Sequence, residues 1–99
     1  MVIFHRLATA EFVRARRRYG RIGPALEQRF VDAVAAAVLR IGIDPNAGVA
    51  HTGMIRWLRT RRFPYLLFFE PSADGDRFVY AVAHQRQKPG YWMRRRLLP

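Results

Sequence analysis

Tyr65-Leu-Leu-Phe-Phe-Glu-Pro-Ser-Ala-Asp-Gly-Asp-Arg-Phe-Val-Tyr-Ala-Val-Ala-His84 is the stretch that decides the fold. Residues 65–70 are apolar on both faces, so they read as a central strand. Residues 77–84 have the same character and read as its neighbour. The connector, residues 71–76, contains Asp74-Gly75, a dipeptide that tolerates the positive φ of a tight hairpin. Upstream, residues 54–61 read as a third strand. Phe63-Pro64 then turns the chain, because a proline cannot donate to a strand ladder. The three strands follow one another as an antiparallel meander.

Working outward, the segment before the meander is helical. Gly23-Pro24 places a proline at the first position of a helix. Leu26, Phe30, Val34, Ala37, Val38 and Ile41 then form one apolar stripe. Gly42 ends that helix and Pro45 prevents its resumption. Residues 9–19 read as an earlier helix, with Thr9 as N-cap and Glu11 in the first turn facing the positive helix end. Ala8, Phe12, Ala15 and Tyr19 share its apolar face, Arg14, Arg17, Arg18 and Arg21 lie mostly off it, and Gly20 supplies a stop. The short link at residues 20–23 folds the two helices into a hairpin. Residues 2–6 read as a strand and residues 43–53 as a loop. The tail, residues 89–99, reads as a short helix or an ordered arm. The order β-α-α-β-β-β predicts one α+β domain over residues 1–99, a helical hairpin layered on a mostly antiparallel sheet.

Composition narrows the chemistry. In 99 residues there are 18 basic and 7 acidic side chains, a formal charge of +11. All the basic residues but Lys88 are arginine, whose planar fork of donors suits phosphate and carboxylate. Such a field predicts polyanions or acidic proteins as partners. The charge is clustered at residues 1–21, 51–69 and 84–99. Cysteine is absent, so disulfides, iron–sulfur clusters and cysteine-bound zinc are excluded. His5, His51 and His84 are scattered and predict no metal site. No apolar run reaches transmembrane length, and the N-terminus lacks the layout of a signal peptide, so a cytoplasmic protein is expected.

The densest chemistry lies at residues 83–94, Ala-His-Gln-Arg-Gln-Lys-Pro-Gly-Tyr-Trp-Met-Arg. Strand exits carry function more often than strand middles. RNA cleavage needs a base, an acid and cations for the phosphorane charge, and His84, Arg86, Lys88 and Tyr91 have the required side chains. The competing reading is structural: His84 caps a strand while Tyr91 and Trp92 pack the tail onto the sheet. The third strand offers a second surface. Arg59 and Arg61 share a face with Trp57, a stacking platform beside phosphate-binding groups, or else the arginines guard an edge strand.

The pattern as a whole resembles the small toxins of the RelE/ParE superfamily from bacterial type II toxin–antitoxin modules. The resemblance spans nearly the full chain. It rests on Ala10-Glu11, Tyr19, Leu26 and Phe30, then on Asp44-Pro45 and Arg61-Arg62-Phe63-Pro64-Tyr65. It continues through Ala81-Val82-Ala83-His84, Arg86, Pro89, Tyr91, Trp92 and Arg94. It implies a helical hairpin on a curved antiparallel sheet, no metal or organic cofactor, and a cognate acidic antitoxin as partner. It also implies one of two targets, DNA gyrase for the ParE-like branch or the ribosome and its mRNA for the RelE-like branch. In the ribonuclease branch the catalytic set would be His84, Arg86, Tyr91 and Arg56. The arginine expected early in the central strand is missing between Tyr65 and Glu70, which favours gyrase inhibition without RNA cleavage. Target binding then falls to Arg59, Arg61, Arg62, Lys88, Trp92, Arg94, Arg95 and Arg96. A third reading is a degenerate toxin that only binds antitoxin or DNA.

Overall fold

The computed structural model describes residues 1–88 and 90–99. Pro89, one of the residues carrying the resemblance, lies outside the described residues. The elements are β1 (Val2–Phe4), α1 (Arg6–Ile22), α2 (Pro24–Ile43), β2 (Val49–Thr52), β3 (Ile55–Arg59), β4 (Tyr65–Pro71) and β5 (Arg77–His84), followed by a 3-10 turn at Met93–Leu97. They form the expected α+β layers, with a five-stranded sheet in the order β1-β5-β4-β3-β2. The meander β3-β4-β5 is antiparallel, and β1 adds to β5 in parallel.

Local expectations are corrected in two places. The first helix starts three residues earlier than Thr9, because the His5 side chain caps it by accepting from the Leu7 backbone N–H at 3.1 Å. Thr9 therefore lies inside the helix, its N–H already bonded to the His5 carbonyl. Gly20 does not stop α1, which runs on to Ile22. A Cβ at Gly20 would sit 2.9 Å from the Glu27 carboxylate, so glycine there makes room where the hairpin closes. Glu27 also pairs with Arg16 at 2.8 Å across that crossing. The second correction is β2, an exposed edge strand inside the segment read as a loop. Its four residues, Val-Ala-His-Thr, bury nothing, so no hydrophobic pattern announces them. Pairing with β3 holds them instead.

The sheet has two covered faces. On one, α1 and α2 pack over Leu58, Leu67, Phe69, Val79 and Val82. Phe30 is fully buried there and meets Tyr19, Phe63 and Tyr65 at ring separations of 5.0–5.4 Å through Phe30 itself. On the other, Ile55, Phe68, Ala81 and Ala83 are closed over by Trp92 from the tail. A bulge joins the two patterns. Phe68 pairs with Ala81 but Phe69 pairs with Val79, leaving Tyr80 without a partner. The extra residue lets Val79 and Val82 both face the helices while Tyr80 and Ala81 face the tail.

Candidate functional site

The C-terminal segment is fixed by one buried carboxylate. Starting α1 at Arg6 places Glu11 in the second turn, on the same buried stripe as Ala8 and Ala15. Its Oε1 accepts from the Val82 backbone N–H at 3.0 Å and from Arg95 Nη1 at 2.8 Å. Its Oε2 accepts from Arg95 Nη2 at 3.0 Å and from the Tyr91 hydroxyl at 2.5 Å. Arg95 Nη1 also donates to the Tyr80 carbonyl, and its guanidinium lies 5.2 Å from the Tyr91 ring centre. The bidentate pair is well buried, with side-chain exposures of 13% for Arg95 and 7% for Glu11. A charge at that depth requires such a partner. Burial pushes the Tyr91 phenol far above its ordinary range, and its bond to the Glu11 carboxylate adds to the shift. In this arrangement the Tyr91 hydroxyl donates its proton to the Glu11 carboxylate.

Trp92 extends the same anchorage. It is fully buried, lies parallel to Tyr80 at 6.0 Å and tilts against Phe68 at 4.8 Å. Its indole Nε1 has no hydrogen-bond partner among the described residues. Arg96 pairs with Glu70 at 2.6 Å, beside the Tyr80 hydroxyl. Trp92, Arg95 and Arg96, read from the sequence as target-binding residues, are thus the ones that hold the tail on the sheet.

Arg56 is committed elsewhere. Its Nε donates to the Ala47 carbonyl and its Nη2 to the carbonyls of Asn46 and Gly48, all at 2.9–3.0 Å. It clamps the chain entering β2. Gly48 sits there at φ 74°, and a Cβ would fall 2.0 Å from the Trp57 carbonyl oxygen, so only glycine fits. Arg56 pairs with Phe69 and His84 pairs with Tyr65. Four residues at about 3.3 Å each and two strand spacings of about 4.8 Å set their backbones roughly 16 Å apart.

His84 ends β5 with its ring edge-on to Tyr65 at 5.3 Å. Its Nδ1 accepts from the Arg86 backbone N–H, and its own backbone N–H donates to Gln87 Oε1. Arg86, Lys88 and Arg94 are exposed around this exit. Arg59, Arg61 and Arg62 are exposed at the C-terminal end of β3, at the same end of the sheet. Thr60 pins that turn from beneath: fully buried, its hydroxyl bonds to the carbonyls of Phe63 and Tyr65. Arg62 adopts φ 69°, the left-handed region that non-glycine residues rarely occupy. Strain of that kind gathers at functional turns.

The sequence pattern did not reveal the role of Glu11 and gave no site role to Arg14, Arg18, Tyr65 and Gln87, which line a cavity with it. A signal existed for Glu11. It is the lone acid before Glu27, and it lies between Ala8 and Ala15 on an apolar helix stripe. An acid in that position needs a buried counter-charge, which a first-turn dipole reading does not supply.

The geometry defines a strongly cationic α+β domain whose exposed arginines lie on the outer faces of both helices, on the turn after β3 and at the exit of β5. No group of three acidic or histidine side chains able to hold a metal occurs among the described residues. No helix is long and apolar enough to cross a membrane. Residues 2–89 match the family model described as ParE toxin of type II toxin-antitoxin system, parDE, and the chain belongs to that family. It is accordingly a toxin of a type II toxin–antitoxin module, with an antitoxin as its partner. Comparison with curated proteins and with solved structures returned no match.

Proposed function

We propose that this toxin is a stoichiometric inhibitor of DNA gyrase in the bacterial cytoplasm, acting without RNA cleavage. The observation that carries this reading is the dispersal of the four residues a cleavage centre would need. Arg56 is spent on clamping a loop, about 16 Å along and across the sheet from His84. Tyr91 holds its proton against Glu11. General acid–base catalysis needs the groups within hydrogen-bond reach of one reacting phosphate, and only His84 and Arg86 remain neighbours.

Inhibition by docking needs only a rigid, charged surface. Arg59, Arg61 and Arg62 on the turn after β3 and Arg86 and Lys88 at the neighbouring exit of β5 supply it, where the Gln85 N–H bonds to the Pro64 carbonyl, and Arg94 adds to it from the tail. Trp92, Arg95 and Arg96 act as positioning residues that hold the exit of β5 and the tail in place. The test pairs two assays on purified protein, inhibition of gyrase supercoiling and primer extension on mRNA in a defined translation system. Gyrase inhibition with intact mRNA is the expected result. Discrete ribosome-dependent cuts, lost in His84→Ala, would overturn it in favour of the endonuclease.

A further inference from the structure

Beside the Glu11 junction lies a cavity of about 290 Å³, where the face of α1 meets the ends of β4 and β5. Its polar lining is Glu11, Arg14, Arg18, Tyr65, His84 and Gln87. The hydrogen-bonding state of this lining is one-sided. Both Glu11 oxygens are occupied by Arg95, Tyr91 and Val82. Gln87 Oε1 accepts from the His84 backbone, so the amide NH₂ is what remains. His84 Nδ1 accepts from the Arg86 backbone, so the neutral ring carries its proton on Nε2. The Tyr65 oxygen accepts from Arg18 at 3.5 Å and keeps its own O–H to give. Arg14 has no hydrogen-bond or ion-pair partner among the described residues. Acceptors in the pocket are therefore occupied, and the free valences are donors.

From this one-sidedness we infer that the cavity is a binding site for a phosphate monoester. Charge selects the class. Arg95 cancels Glu11, which leaves the guanidinium groups of Arg14 and Arg18, one helical turn apart, uncompensated. Two cations match the dianion of a terminal phosphate better than the single charge of a phosphodiester. Arginine forks, an imidazole N–H, a phenol and an amide match its three free oxygens. The volume holds one phosphate with part of its carrier. The carrier is a free nucleotide or the phosphorylated end of a nucleic acid, which share this chemistry. The inference does not depend on which target the toxin inhibits.

The test is titration of the full chain at constant ionic strength, followed by the His84 ring and arginine side-chain resonances. The probes are inorganic phosphate, uridine 5′-monophosphate, dimethyl phosphate, and one short oligonucleotide with and without a 5′-phosphate. The monoester is expected to bind at least tenfold tighter than dimethyl phosphate. Arg14→Ala and Arg18→Ala should each weaken it at least tenfold. Arg17→Ala, an exposed neighbour on α1 outside the pocket, should change it less than twofold. All three positions are exposed, so the variants keep the fold. A preference of the phosphorylated oligonucleotide over both its unphosphorylated form and the nucleotide identifies a nucleic-acid end; equal binding of nucleotide and phosphorylated oligonucleotide identifies the phosphate alone. Equal affinity for monoester and diester would overturn the inference, as would an equal loss in Arg17→Ala. Displacement of the monoester by a glutamate-rich peptide that binds more tightly would also overturn it, giving the pocket to a protein carboxylate.

Discussion

One face of the sheet is covered by two helices of 17 and 20 residues, the other by a 3-10 turn of five. The helix-covered face spreads its contacts over many side chains, with Phe30, Ile41, Leu67, Phe69 and Val79 all buried. The tail-covered face depends on one indole and one carboxylate. Loss of a single contact therefore has a different meaning on each side. On the helix face it weakens the whole domain. On the tail face it can release a segment while the rest stays folded.

The sharpest test of that difference begins with Phe30→Ala, which should lower stability by about 4 kcal/mol in urea denaturation. Amide exchange should accelerate throughout the sheet. Glu11→Ala should follow at about 3 kcal/mol, because it strands Arg95 without its counter-charge and removes the acceptor of the Val82 N–H. The double variant Glu11→Ala with Arg95→Ala should lose less than the sum of the two single losses. Strict additivity in that cycle would show that the pair is not coupled. Trp92→Ala should cost about 2 kcal/mol, less than a typical buried aromatic, because the turn can detach locally and the unpartnered indole N–H leaves with it. Its faster exchange should be confined to residues 80–84 and 91–97. A global acceleration would erase the contrast between the faces.

Alkali supplies a graded version. Burial raises the phenols of Tyr19 on the helix face and of Tyr80 and Tyr91 on the tail face, Tyr91 furthest. A raised phenol keeps its proton in the folded chain at a pH where the unfolded chain has lost it. The stabilisation is complete below pH 10, the ordinary tyrosine value, and falls as pH rises beyond it. Melting temperature should thus drop above pH 10, and Tyr91→Phe should flatten that drop. The smallest expected effect is of opposite sign. Arg62→Gly should stabilise by about 1 kcal/mol by relieving a left-handed arginine. Gyrase inhibition should fall at the same time, if the turn docks on the target.

Much of the fold could be read from residue patterns because burial is written in them. The period-two and both-faces-apolar runs marked β4 and β5, and the stripe from Leu26 to Ile41 marked α2. What escaped had no such imprint. Strand β2 is exposed along its length and held by backbone pairing and by Arg56. The start of α1 depends on a histidine cap, a residue type with weak capping preference. The site was least legible. An arginine on a turn and an arginine paired with a carboxylate look alike in sequence, so Arg61 and Arg95 fall in one group although one is exposed and the other half-buried. Only the lone acid on an apolar stripe could have separated them.

The Glu11–Arg95 pair spans 84 positions of the chain. Glu11 is therefore synthesised well before the arginine that neutralises it. During synthesis α1 carries a carboxylate on its apolar face that nothing yet neutralises, and Phe68 and Ala81 wait uncovered on the open side of the sheet. A chain halted before Tyr91 keeps both defects and presents them to proteases. The covered face and the paired carboxylate are thereby complete only once Trp92 and Arg95 have been added.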